Sequence, residues 1–217
     1  MNAEAPTASE PSPEKQWWLR TLLVLTSPRA VFAALRDDSD EAADARVQPV
    51  AAIMGLAGIG GVLMTTAAGH LLDDPEFDAT LIAVWAFIAG GIYGIAVYVA
   101  VGALVLLGAS LAGGLGSYRR ARHLLAFAAV PVALSLLVWP VRLAVHGEDA
   151  FRTGGSDEGA GASVFDGLEL GFVLWSVALL AIGMRAVHGW SWPRALAATA
   201  VPSLAAAAEL AASFGLF

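Results

Sequence analysis

The chain has 217 residues, of which 58% are hydrophobic and only 14% charged, with a formal net charge of -7. A soluble domain averages about 25% charged residues and needs polar groups on the outer face of every helix. Long stretches here have none, so lipid is the predicted solvent and the plasma membrane the predicted location. The acidic balance, with no basic stripe, excludes nucleic acid as a partner, and the absence of cysteine excludes disulfides, thiolate metal sites and cysteine nucleophiles. Arginine outnumbers lysine eleven to one in an alanine- and glycine-rich chain, which suggests a GC-rich bacterial genome.

Residues 1–15 are polar, acidic and proline-bearing, the opposite of a basic signal-peptide start, and predict a disordered tail. From Trp17 the sequence becomes WWLRTLLVLTSPRAVFAALRDD, whose apolar runs are too short for a bilayer core that takes about 20 helical residues to cross. Ser27 and Pro28 read as an N-cap and first helical position. The helix after them sets Val31, Phe32 and Leu35 against Arg29 and Arg36. Residues 16–46 are therefore expected to form an amphipathic segment and a polar linker, DDSDEAADAR. The segment either lies in the interface, with Trp17 and Trp18 at headgroup level, or packs on the end of the bundle.

Residues 47–217 read as the membrane domain. A first span covers about 50–72 and is followed by an acidic turn, DDPEFD. Residues 79–118 then carry no charge, which fits one long helix or a hairpin of two short ones. Short cytoplasmic loops carry the excess of Lys and Arg. One helix gathers Lys15, Arg20, Arg29, Arg36, Arg46, Arg119, Arg120, Arg122, Arg185 and Arg194 on one side, whereas a hairpin would strand Arg119, Arg120 and Arg122 outside. The second span is accordingly one helix over about 80–111, overlong for the core and so tilted or projecting. Spans three to five cover about 123–145, 167–187 and 193–214. The prediction is an all-α polytopic bundle of five transmembrane helices with its N-terminus inside and its C-terminus outside.

Two segments of parallel direction match without gaps, RHLLAFAAVP at 122–131 and PRALAATAVP at 193–202, and each brings a proline about 12–14 Å beyond its last arginine. Pro131 and Pro202 each remove a helical hydrogen bond, freeing the carbonyls of Phe127 and Ala198, and are expected to kink their helices, as is Pro140. Broken helices of this kind line binding sites in transporters, although neighbours also satisfy such carbonyls in purely structural helices.

The segments GGLGSYRRARHLLAFAAVP (113–131) and LWSVALLAIGMRAVHGWSWPRA (174–195), with SPRAVFAAL (27–35), resemble the Yip (Ypt-interacting-protein) domain family of five-span membrane proteins. In eukaryotes that family is associated with Rab-type GTPases and vesicle traffic. Bacterial relatives lack this machinery, so the resemblance implies fold and topology but neither partner nor catalytic residues.

Glu209 is singled out as an acid within a span, where an ionisable group is a functional candidate. Its expected partner is Arg142, locking spans three and five at their outer ends. The alternative is a proton or cation site formed with His70. Arg119, Arg120, Arg122, Arg185 and Arg194, with Tyr118, His123, His188, Trp190 and Trp192, form a basic and aromatic inner face. Orientation alone accounts for it, and contact with anionic lipid headgroups or a protein partner is the sharper reading. The small-residue pairs Gly90/Gly94, Ala57/Gly61 and Gly167/Gly171 permit close helix packing or a homo-oligomer. Histidine spacing indicates no metal, Gly113 to Gly116 lack the Lys-Ser/Thr of a phosphate loop, and no serine-histidine pairing suggests catalysis. No cofactor is expected. The sequence thus points to a non-enzymatic membrane-organising or partner-binding protein, with a small transporter or channel as the alternative.

Overall fold

The computed structural model describes residues 12–157 and 160–213, with side chains described for 12–157 and 163–208. Among them it is all-helical: α1 (Pro13–Leu23), α2 (Pro28–Ala34), α3 (Asp40–Asp44), α4 (Val47–Leu63), α5 (Ala79–Leu111), α6 (Tyr118–Ala128), α7 (Val130–Ser135), α8 (Trp139–His146), α9 (Ala160–His188) and α10 (Trp192–Ser213). Two 3-10 turns, Ala68–Asp73 and Gly147–Phe151, complete it. Four segments are long and apolar enough to cross a membrane: Asp40–Leu63, Ala79–Leu111, Tyr118–Phe151 and Ser163–His188. Loops rich in arginine gather at one end, and the turns at Asp73 and Asp157 gather with the start of α9 at the other.

The charge-free stretch forms one unbroken helix, α5, whose 33 residues extend about 50 Å against a core of about 30 Å. It ends where glycine permits a left-handed turn: Gly113 has φ 76°, and the Gly114 amide reaches back to the Ala109 carbonyl at 2.8 Å. Helix α4 lies along α5 at backbone contact distance, because a Cβ at Gly58 would collide with Gly90 and Gly94. The predicted pair Gly90/Gly94 thus packs within the monomer, Gly61 faces the Tyr93 ring, and Gly167 and Gly171 meet nothing within 4 Å.

The first predicted span is shorter than expected. Helix α4 stops at Leu63, where the Thr65 hydroxyl takes the Val62 carbonyl at 2.6 Å, a local bond that competes with helix continuation. The third span is broken twice. Helix α6 closes at Ala129, two residues before Pro131, and α8 opens with Pro140 in its first turn, as expected where proline has no N–H to donate. Pro202, in contrast, lies inside a continuous α10. Its freed carbonyl, Ala198 O, occupies the space a side chain at Gly108 would need, and the Thr199 hydroxyl bonds to Ala195 O at 2.8 Å in the same turn. Close contact with the Gly108 backbone faces the carbonyl that the proline frees, while the Thr199 hydroxyl adds a second bond to a neighbouring carbonyl.

The N-terminal segment packs on the basic end of the bundle. Val31, Phe32 and Leu35, the apolar side of the helix, are buried, and Phe32 fills the space beside Gly183 of α9. Trp17 is buried in the main core, with its ring 5.3 Å from that of Phe127. Only Trp18, with Leu19, Leu22 and Leu23, is left on the exposed side of α1. The expectation of a headgroup-level anchor therefore fails for Trp17: the Phe127 ring and the guanidinium groups of Arg20 and Arg46 enclose it. The segment expected to be a polar linker also holds structure, because Ser39 caps α3 through Ala42 N.

Candidate functional site

At the basic end Arg36, Arg119, Arg120, Arg122, Arg185 and Arg194 are occupied by the protein itself. A helix leaves its last carbonyls unpaired and its C-terminus partly negative. Arg36 caps α9 through two bonds to Ala186 O, at 3.0 and 2.5 Å. Arg194 caps α5 through Ala112 O at 2.7 Å and Gly113 O at 3.2 Å. Arg119 bridges Asp38 at 3.2 Å and Asp40 at 2.7 Å, Arg120 reaches Arg36 O at 3.1 Å, and Ser117 donates to Asp38 as well. Arg122 lies between the rings of Tyr98 and Tyr118, at 4.9 and 4.5 Å, and Arg185 lies over Trp192 at 4.8 Å, geometries of cation–π attraction. Burial raises the Asp38 carboxyl, but the bonds from Ser117 and Arg119 and the field of Arg120 outweigh it, so its pKa falls below the usual value. Asp38 was not singled out in the sequence. Its signal is the acid run ahead of an N-cap serine.

At the opposite end a single buried arginine is outnumbered. Arg142 of α8 donates to Asp157 from Nε and Nη2, at 2.8 and 2.5 Å, reaches Glu169 at 3.4 Å and lies 3.6 Å from Asp166. Trp139 and Phe165 flank its guanidinium. The partner expected for Arg142, Glu209, has a side chain outside the described residues. Glu169, more than two turns inside α9 and 7% exposed, lies within the predicted fourth span, so the sequence did hold a second intramembrane acid. His70 joins the same region, with Nδ1 2.6 Å from Thr153 Oγ1. Thr153 in turn donates to Asp73 through its hydroxyl and amide and holds that carboxyl below its ordinary pKa.

These groups line a cavity of about 240 Å³ that includes His70, Trp139, Arg142, Arg152, Asp149, Asp157, Asp166 and Glu169. A second cavity of about 180 Å³ lies deeper, between α4, α5, α9 and α10, walled by Met54, Gly58, Tyr93, Val97, Leu125, Val177 and Pro202 among others. Met64, Thr65 and Val173 line both, so the two are chambers of one cleft. Ser176 and Ser203, in the apolar chamber, have hydroxyls without a hydrogen-bond partner among the described residues. The same holds for Trp139 Nε1 and Asp157 Oδ1 in the polar one. Apolar volume with a few convergent polar groups is the usual form of a small-molecule site.

Of the residues predicted to matter, His70 and Arg142 meet in the polar chamber and Pro202 borders the apolar one. Pro131 and Pro140 mark helix breaks away from the cleft lining. Among the described residues no group of three or more His, Asp or Glu side chains is arranged to hold a metal. No curated protein and no solved structure matches the chain. The sequence model of the Yip1 domain matches residues 22–213, nearly the whole length, and the chain belongs to the Yip1 domain family.

Proposed function

We propose that this Yip1-family membrane protein is a non-enzymatic, five-span binding protein of the plasma membrane that holds a small membrane-borne ligand in the cleft between its helices. In this reading α10 is the fifth span, the basic end and the N-terminus are cytoplasmic, and the C-terminus is outside. The exposed face of α1, with Trp18, Leu19, Leu22 and Leu23, rests in the inner interface.

The observation that carries the proposal is the apolar chamber at Pro202, whose lining includes Ser176 and Ser203. A dry scaffold would have filled that volume, since interiors pack with few voids larger than a water molecule. The chain has no cysteine, so single replacements report access directly. Ser176→Cys and Ser203→Cys are expected to react with a small methanethiosulfonate reagent in native membranes, and Ala198→Cys, 1% exposed at its packed position, is expected not to. Protection of all three thiols until the protein is denatured would exclude a ligand cleft.

Partner binding at the cytoplasmic face has one observation of its own. Leu115, in the loop between α5 and α6, is 92% exposed, an apolar side chain held out beside the basic cap. Retention of a crosslinked protein partner in native membranes by the parent chain and its loss in Leu115→Ser would support that second role.

A further inference from the structure

We propose that the outward face of α1 docks on anionic phospholipid headgroups through Lys15 and Arg29, an inference that rests on the reading of α1 as lying in the inner interface. Helical spacing gives α1 two sides. Trp17 and Val24 turn toward the bundle and are buried, whereas Lys15, Trp18, Leu19 and Leu22 recur at steps of three and four residues on the other side and are exposed. Leu19 and Leu22 expose 62% and 65% of their surface.

The contacts of the inward side set the level at which α1 lies. The Trp17 ring is 5.1 Å from the guanidinium of Arg46, the residue at which α4 begins. It is also 5.3 Å from the ring of Phe127, nine residues beyond the first residue of α6 and so about 14 Å along that helix. Helix α1 therefore runs along the flank of the spanning helices near their entry into the bilayer, not beyond their ends. A helix on that flank turns its outer side to lipid. Tryptophan and leucines one turn from a lysine suit the boundary between headgroups and acyl chains, where the lysine stem lies along apolar surface and its ammonium reaches up to the phosphates.

A second observation selects anionic headgroups over neutral ones. The arginines of the later loops already serve helix ends, aspartates or rings. Lys15 and Arg29 are exposed, and among the described residues neither cationic head makes an ion pair, a hydrogen bond or a ring contact. Residues 12–36 carry Lys15, Arg20, Arg29 and Arg36 against Glu14 alone. The acids that follow belong to α3 and its approach, where Asp38 and Asp40 are taken by Arg119. Uncommitted positive charge thus lies in the same segment as the lipid-facing apolar stripe, and a basic amphipathic helix is drawn to an anionic leaflet.

The test uses the full chain, which has no cysteine of its own, with Leu19→Cys carrying an environment-sensitive fluorophore. It is reconstituted in phosphatidylcholine vesicles that contain equal fractions of acyl-brominated phosphatidylglycerol or acyl-brominated phosphatidylcholine, and quenching is compared. Brominated phosphatidylglycerol is expected to associate at least about threefold more strongly, within the roughly fivefold that one basic side chain near an anionic surface supplies. The preference should shrink at high salt. Lys15→Gln with Arg29→Gln should bring it to parity, and Arg119→Gln, already committed to aspartates, should leave it in place. The same label at Phe87→Cys, 71% exposed on α5, should be quenched equally by both lipids. Equal quenching at position 19, a preference that survives the double variant, or the same preference at position 87 overturns the anionic docking and leaves α1 in the interface. Quenching at position 87 but by neither lipid at position 19 means that protein covers this face, and overturns the interfacial reading of α1 itself.

Discussion

The two ends of this bundle handle buried charge in opposite ways. At the basic end most of the arginines have a structural use, on a helix C-terminus, an aspartate or an aromatic ring. The guanidinium atoms left over, such as Arg46 Nη1 and Arg122 Nε, belong to side chains otherwise held by backbone carbonyls or by rings. At the acidic end one arginine serves three carboxylates beside a cavity, and the atoms left over include a carboxylate oxygen. The dense cluster of positive charge, which draws attention in the sequence, is largely matched within the protein, whereas the sparse cluster of mixed charge adjoins a cavity.

That contrast is easiest to break at Arg142. Its replacement by Ala leaves three carboxylates without a cation in apolar surroundings, and unfolding in micelles, followed by tryptophan emission, should show a loss of about 3–5 kcal/mol. Asp38→Ala removes the shared acceptor of Arg119, Arg120 and Ser117 at the other end. There the expected loss is about 2–3 kcal/mol, because Arg119 keeps Asp40 and solvent reaches the pair. A larger loss at Asp38 than at Arg142 would invert the comparison. Arg36→Ala uncaps α9 and should cost about 1 kcal/mol, with faster amide exchange confined to the last turn before Gly189.

The smallest effect is in pH. Asp38 has a folded pKa below its unfolded value, so its contribution is fully present above the unfolded value of 3.8 and is lost as pH falls through the folded one. Stability of the basic end should therefore be flat from pH 7 to about 4.5 and fall only below about 4. Asp38→Asn should flatten that acid limb, and a limb unchanged in the variant would show that other carboxylates set it.

Much of this fold was legible because membrane helices obey a few strong constraints. Charge counting alone decided that residues 79–111 form one helix, and the proline at 131 foretold the break between α6 and α7. What was not legible depended on tertiary context. Pro131 and Pro202 stand in matching segments, yet only the first interrupts its helix, because only Ala198 O finds a glycine of α5 against it. DDSDEAADAR reads as a linker by composition and becomes a clamp only when Arg119 arrives from 79 residues away. In the candidate site, His70 and Arg142 were legible as polar groups at an outer helix end. Asp157, in the predicted outer loop, and Glu169, two residues into the predicted fourth span, were not, because carboxylates there look solvated until Arg142 is seen to reach them.

The bond from Arg36 to Ala186 joins residues 150 positions apart. Chains grow from the N-terminus at about 5–20 residues per second, so the N-terminal cap waits roughly ten to thirty seconds for the helix end it closes. During that interval Phe32 has no Gly183 to cover it and α5 no Arg194 on its last carbonyls. The end of α9 and the start of α10 are therefore the last pieces to reach the basic end, and a chain stopped before residue 186 lacks the carbonyl that Arg36 caps.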